Sequence, residues 1–331
     1  MYGLGVKMKD PLYITSHGVL VRKGNTLYFM NEEEGKKALP INGINEIHCY
    51  GKVSLRSGAS SLLMKYGIPV NFFNKYGYYE GSLYPRIKLN SGLVVVKQSE
   101  HYLDPVKRAV IAGEIVEGIK HNVLQTLKYY KKKGKQVDTF IQDVKKEKIG
   151  GDVPQIMSNE GRIWHAYYKS FNEILNKFEM GNREIRPPTT EMNALMSFGN
   201  SLLYSTTLSE IYHTYLHPSV SFLHEPAERR FSLALDIADI FKPIIVERLI
   251  FKLVNNNMLS EKDFDRDVGV FLKDKGKRIF LEEYQKKLST TFKHPELGRK
   301  VSYKYLMRLE AYKLIKHVLG DKEYKSFKMW W

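Results

Sequence analysis

Asp236 and Asp239 stand three residues apart inside one of the most apolar stretches of the chain, FSLALDIADIF at residues 231–241. At helical spacing they share a face. Two carboxylates on an apolar helix are unfavourable unless they are ion-paired, hydrogen-bonded or bound to a cation. They also repel one another, and a cation between them would answer both problems. His224 lies just upstream, in a segment turned by Pro226. Glu160 is a second anomaly. Helical steps from it reach Trp164, Tyr167 or Tyr168, and Phe171, so it projects from an aromatic face near a helix start marked by Ser158 and Asn159. Carboxylates from two segments plus one imidazole form a coherent donor set for a hard cation, Mg²⁺ or Mn²⁺. Plainer readings exist. Glu160 could favour a helix dipole, Asp236 and Asp239 could pair with Arg229, Arg230 or Lys242, and His224 could be a capping residue. Spacing alone leaves both sets open.

The elements that must hold these residues change character along the chain. Residues 1–85 read as β structure: runs at 12–21, 26–29, 41–50, 53–55, 70–73 and 78–83 are rich in Tyr, Ile and Val and are punctuated by glycines. A short helix fits 60–66. Pro85 opens a polar stretch, and residues 86–101 read as a linker. From residue 102 the apolar period becomes helical, beginning with Val106, Val110, Ile115, Ile119, Val123 and Leu127. Further helices are expected at 160–179, 191–216, 230–257, 261–273, 277–292 and 300–318, separated by Gly and Pro breakers. The expected fold class is α+β: a small N-terminal β domain over 1–85, then a larger all-α catalytic domain over 102–331.

Composition sets the partner class. The 331 residues carry 52 Lys plus Arg against 36 Asp plus Glu, a net +16. Residues 1–85 hold ten basic and six acidic side chains, so most of the excess falls in the helical part. Such a surplus points to a polyanion, nucleic acid first and an anionic membrane surface second. The 38 Lys outnumber the 14 Arg, which suits phosphate contact more than base reading. Five lysines fall within 128–135; the run is either a solvated helix end or a phosphate contact. Cys49 is the only cysteine, which excludes a disulfide framework and a thiolate zinc cluster. No apolar run approaches ~18 residues and no secretory pattern opens the chain, so a cytoplasmic protein away from membranes is expected.

Three segments carry a family resemblance. Glu160-Gly161 with Tyr167 resembles an E-G-x-x-x-x-x-Y helix, RPPTTEMNALMSFGNSLL at 186–203 resembles an R-P-P…N-A-L-L-S-x-G block, and 221–243 resembles a G-F-L-H…S-L-A-L-D-L-x-E-x-F-R-P block. All belong to the CRISPR-associated endonuclease and integrase family of spacer acquisition. Nearly the whole chain shares the likeness, from Ile44-Asn45-Glu46-Ile47 through Gly67-Ile68-Pro69-Val70 to the closing aromatic motif at 323–327. Three positions depart from the pattern: Asp239 where the family often has Glu, Lys242 for the Arg of F-R-P, and Ser221 for the Gly before the His.

The resemblance implies an enzyme that joins 3′-hydroxyl ends of captured DNA to the CRISPR repeat by transesterification, and that cuts DNA when water attacks instead. It places the metal ligands on Glu160, His224 and Asp239, with Asp236 a further catalytic carboxylate acting through water or on a second cation. It further implies a homodimer built through the β domain and a small ferredoxin-like partner, the second CRISPR adaptation protein. Arg186, Arg229, Arg230 and Lys242 are the candidate DNA contacts. Asn193 is expected to hydrogen-bond at a helix start and support the site; His165, His213 and His217 receive no role. A non-catalytic nucleic-acid-binding scaffold is the main alternative. A metal-dependent RNA hydrolase is a weaker third, since no paired His-Asp motif or RNA-binding aromatic signature is present.

Overall fold

The computed structural model describes residues 10–32, 35–86, 91–184, 187–226 and 231–330. Contacts divide the chain into two units, Met1–Lys88 and Leu89–Trp331. The candidate contacts Arg186, Arg229 and Arg230 lie outside the described residues.

The first unit contains strands β1 (Asp10–Ile14), β2 (Gly18–Lys23), β3 (Thr26–Asn31), β4 (Gly35–Leu39), β5 (Ile44–Cys49), β6 (Val53–Leu55), β7 (Val70–Phe73) and β8 (Tyr79–Leu83), with helix α1 (Ser57–Tyr66). They form two four-stranded sheets, ordered β4-β3-β2-β6 and β1-β5-β7-β8. The run expected at 12–21 is therefore two strands that join different sheets. At the crossing, Gly51 lies so close to the Ser16 carbonyl that a Cβ would meet it at 2.2 Å. Gly24, at φ 61°, turns β2 into β3 through a two-residue loop, the position where a II′ turn needs glycine. Leu20, Leu27, Ile47, Leu62, Leu63 and Val70 fill the core of this unit. Cys49 is buried with them, and burial pushes its thiol up to about 12. Strand β4 was not foreseen. It carries Lys36 and Lys37 on an exposed edge, with the Lys36 ammonium 4.1 Å from the Tyr28 ring. Charge guards that edge but erases the alternation by which a strand is read.

The second unit is built from α2 (Gly92–Leu103), α3 (Pro105–Lys132), α4 (Asp138–Lys146), α5 (Val153–Lys169), α6 (Phe171–Ile174), α7 (Glu191–Tyr212), α8 (Ser232–Asn255), α9 (Asp274–Ser289) and α10 (Tyr303–Val318). The linker expected over 86–101 is corrected: Ser91 caps a helix that begins at Gly92. The unit is mostly helical, as expected, with two short hairpins between its helices: β9 (Phe264–Asp265) with β10 (Phe271–Leu272), and β11 (Thr291–Lys293) with β12 (Lys300–Ser302). The first replaces the helix expected at 261–273. Gly269 sits there at φ 147°, and a Cβ on it would meet the Pro187 Cβ at 2.6 Å. No helix among the described residues is long and apolar enough to cross a membrane.

Helix α8 is the axis of this unit. Nineteen of its 24 residues are buried, as expected of a helix apolar on all sides. Helices α3 and α7 pack against it. Pro243 lies inside it and has no N–H to offer the carbonyl of Asp239, four residues back. Side chains of α3 bond to nearby carbonyls: Asn122 donates to the Ile240 carbonyl at 2.9 Å and Thr126 to the Pro243 carbonyl at 3.2 Å. The closing aromatic motif returns to the same place. The Tyr324 hydroxyl donates to Glu310 at 2.6 Å, and Phe327 stacks on Phe241 with ring centres 5.2 Å apart.

Candidate metal centre

Glu160 comes from α5, whose start lies further upstream than the sequence suggests. Asp152 and Gln155 form a reciprocal capping box, with Pro154 in the first turn, so Glu160 stands two turns inside the helix. A dipole role fades beyond the first turn, which weakens the plainer reading of this residue. Its carboxylate accepts the Trp164 indole N–H at 2.6 Å. Burial and the neighbouring Asp239 raise its proton affinity above the usual glutamate value, against the indole, Lys242 and His224.

His224 lies in the tight segment that precedes α8. The Asp236 carboxylate holds that segment by accepting three backbone N–H groups, from Phe222 at 2.7 Å, Leu223 at 3.0 Å and His224 at 3.0 Å. It also contacts His224 Nδ1 at 2.8 Å. Ser221 adds a second fastening: its hydroxyl donates to the His224 carbonyl at 2.6 Å and lies 2.8 Å from the Ser232 hydroxyl. With Nδ1 fixed by a carboxylate, His224 Nε2 is turned towards Asp239, 3.8 Å away. That is the arrangement by which an outer carboxylate orients an imidazole for a metal. Asp236, expected to act through water or on a second cation, is here a carboxylate already in use. Both of its oxygens are already engaged and the residue is fully buried, so it positions His224.

Asp239 has a different neighbour. Its Oδ1 lies 2.5 Å from the Lys242 ammonium, which also sits 5.5 Å from the Trp164 ring centre. Lys242, expected to face DNA, is thus tied to the centre itself. Among the described residues no group of three or more His, Cys, Asp and Glu side chains is drawn together tightly enough to hold a metal. The indole engages one oxygen of Glu160 and the ammonium one oxygen of Asp239. What fits a cation is the donor chemistry and the charge. Burial alone would lower the proton affinity of His224, but Asp236, Asp239 and Glu160 raise it to about 9.

Glu247, two turns beyond Asp239 on α8, is a residue that sequence reading missed. It is fully buried and neither carboxylate oxygen has a hydrogen-bond partner among the described residues. Burial lifts it to about 8, with Asp239 adding to the rise and Lys242 opposing it. Its signal was present: a carboxylate in the apolar run PIIVERLIF, on the face that Asp236 and Asp239 define. Asn193 fulfils its expected structural role. Its side chain accepts from Arg183 at 3.1 Å and the Glu184 N–H at 3.2 Å, and donates to the Asn182 carbonyl at 2.7 Å. His213 bonds to the Ser209 carbonyl and His217 accepts from the Ser219 N–H, both remote from the centre.

The sequence model of the family described as CRISPR associated protein Cas1 matches residues 12–286. A relative named CRISPR-associated protein Cas1 1, from Methanobrevibacter ruminantium, is 51% identical over 325 residues, covering 98% of this chain and 99% of its own. CRISPR-associated endonuclease Cas1 3 of Thermodesulfovibrio yellowstonii is 47% identical, covering 96% and 99%. The solved Cas1 protein of Thermotoga maritima superposes with a TM-score of 0.86 at 39% identity, over 96% of this chain and all of that one. The fold alone is shared with a casposase bound to integration product (TM-score 0.83, 22% identity, 96% and 93% covered). It is likewise shared with part of a Cas6-RT-Cas1–Cas2 complex (TM-score 0.84, 19% identity, all of this chain and 37% of that one).

Proposed function

The chain belongs to the Cas1 family of CRISPR-associated proteins, and on that premise we propose that it is a metal-dependent integrase and endonuclease of CRISPR adaptation. It joins the 3′-hydroxyl ends of a captured DNA fragment to the CRISPR repeat by transesterification. The observation that carries this reading is the orientation of His224. Its Nδ1 is held by Asp236, its Nε2 faces Asp239, and Glu160 is electrostatically coupled to both.

Glu160 and Asp239 would offer oxygen donors and His224 its Nε2. Mg²⁺ or Mn²⁺ bound there supplies polarisation of a phosphoryl oxygen and acidification of the attacking hydroxyl or water. The residues do the rest of the positioning. Asp236 fixes the imidazole, the Trp164 indole N–H orients Glu160, and Lys242 places a positive charge beside the carboxylates where phosphate oxygens must approach. The homodimer and the second adaptation protein belong to the same reading. In its support, a Cas1 portion of similar fold occurs in a complex with Cas2, and a casposase of this fold is bound to integration product.

Strand transfer of a 3′-hydroxyl DNA end into a repeat-bearing duplex tests the reading. Glu160→Ala and His224→Ala should each abolish it in Mn²⁺ while leaving the circular dichroism of the protein unchanged. Parent-like turnover by either variant would remove these residues from the site. One observation favours the non-catalytic scaffold, the Lys242–Asp239 ion pair, which satisfies Asp239 without a metal. Titration with Mn²⁺ separates the two, because the scaffold reading requires no binding that Glu160→Ala can eliminate.

A further inference from the structure

A strongly basic cavity of the second unit holds none of the residues of the candidate metal centre. It measures about 640 Å³ and lies where the C-terminal parts of α3, α8 and α9 come together. Six cations line it: Lys133, Lys135, Arg248, Lys252, Lys286 and Lys287. Glu283 is its one lining carboxylate, and it is already shared by Lys252 at 2.5 Å and Lys286 at 2.7 Å.

Among the described residues, neither Arg248 nor Lys287 is ion-paired with a carboxylate. The Arg248 guanidinium lies over the Tyr129 ring at 4.5 Å and contacts the Met329 sulfur at 3.6 Å. The Lys287 ammonium lies over the Tyr303 ring at 4.3 Å and 3.3 Å from its hydroxyl. Lys133 approaches Tyr129 at 4.9 Å, and Lys135 donates to the Asn176 amide oxygen at 2.8 Å. Aromatic faces and neutral oxygens thus stand where counter-charges would be expected.

Cations near helix C-termini are ordinarily explained by the dipole. That explanation accounts for Lys252, Lys286 and Lys133, each in a last turn or cap. It does not account for Arg248, which is about two turns from the end of α8. Lys287 shares the last turn of α9 with Lys286, but the dipole does not account for its half-buried place beside Arg248 and Lys252, where burial and those two cations bring its ammonium down to about 8. A protein does not ordinarily bury a lysine among cations; a bound polyanion would relieve that repulsion.

We propose that this cavity is a second nucleic-acid site, a pocket for the phosphodiester backbone of a DNA strand, built on α3, α8 and α9 and separate from the Glu160–His224–Asp239 centre. It rests on the reading that the chain handles DNA. Its volume falls within the ~300–1,000 Å³ typical of ligand pockets, and it is roomier than one inorganic phosphate requires. The rise of α8 separates Arg248 from Asp239 by roughly 13 Å along the axis. The lysine run at 128–135 supplies two of the lining cations.

Fluorescence anisotropy with a labelled single-stranded DNA, run in EDTA so that the metal centre plays no part, tests the proposal. The double variant Arg248→Ala with Lys287→Ala should bind about tenfold more weakly. The slope of its log affinity against log salt should flatten by about 0.7 for each phosphate no longer neutralised. The charge-preserving pair Arg248→Lys with Lys287→Arg should restore both. Lys145→Ala with Lys146→Ala, on the solvated end of α4, should change neither. Parent-like affinity and slope in the double variant overturn the pocket, as does an equal loss in the α4 control. A further overturning result is saturable binding of pyrophosphate to the cavity with DNA affinity unaffected by the double variant. If the parent itself binds no DNA, the functional reading falls together with the pocket.

Discussion

Asp236 and Asp239 are one helical turn apart on the same helix, yet they meet different partners. Asp236 accepts donors from the 222–224 segment and holds it; Asp239 faces Lys242 and His224. Spacing could mark the pair but not divide its labour, because the three N–H groups on Asp236 come from a loop whose path no periodicity reveals. Two substitutions follow. Asp239→Asn should lose the thermal stabilisation that Mn²⁺ confers by binding the folded state. In EDTA its melting temperature should stay near that of the parent, because the change also removes the repulsion between Asp239 and Glu160, and Glu160 still faces Lys242. A drop of the size expected for a broken buried pair, about 3–5 kcal/mol, would mean that the ion pair rather than a metal explains Asp239. Glu247→Gln tests the buried carboxyl. The folded protein keeps the Glu247 proton to about 8, whereas an unfolded chain releases it near ~4.3. Between those values the unfolded chain binds fewer protons, so this residue subtracts stability as pH rises. The glutamine variant should therefore match the parent near pH ~4 and exceed it above pH ~8, by a few kcal/mol at most. Urea unfolding at both pH values measures the difference, and equal stability at high pH would place Glu247 in a solvated or paired state.

The elements divide into those that carry their signal in side-chain pattern and those whose cause lies elsewhere. Helices α3, α7, α8 and α10 were legible because their apolar residues recur at helical intervals, and the hairpin of β2 and β3 because Gly24 marks its turn. The start of α5 was missed because a polar capping box, Asp152 with Gln155, precedes the aromatic face that drew attention. The segment 261–273 was misread because its few apolar residues fit a helix, whereas Gly269 must pass close to Pro187 and adopt a backbone angle that helices forbid. Linker and helix were confused at 92–101, where Val94 and Gln98 are the buried residues of α2. Burial also ranks the elements by how they open. Helix α8 is enclosed by α3, α7 and the C-terminal segment, while the 221–224 loop is fastened mainly through Asp236 and Ser221. Amides of α8 should exchange with solvent only when the whole unit unfolds, and those of the His224 loop through smaller openings. Hydrogen exchange followed by mass spectrometry should show that order, and simultaneous exchange of both would mean that the loop and helix open as one.

For the whole molecule, the basic surplus is spread over both units while the candidate sites gather in one. The cation-lined cavity and the candidate metal centre both lie in the helical unit. The β unit is as basic for its length as the helical unit, and it presents sheet edges. One of those edges has a consequence for assembly. A two-fold axis brings each surface patch against its own copy, so whatever lines an edge strand must tolerate meeting itself. On β4 that encounter would set Lys36 and Lys37 of one protomer against the same two lysines of the other, with no acidic residue in the strand to compensate. Symmetry thus turns a local guard into a rule of geometry: a homodimer formed through this unit has to find its axis somewhere other than the β4 edge.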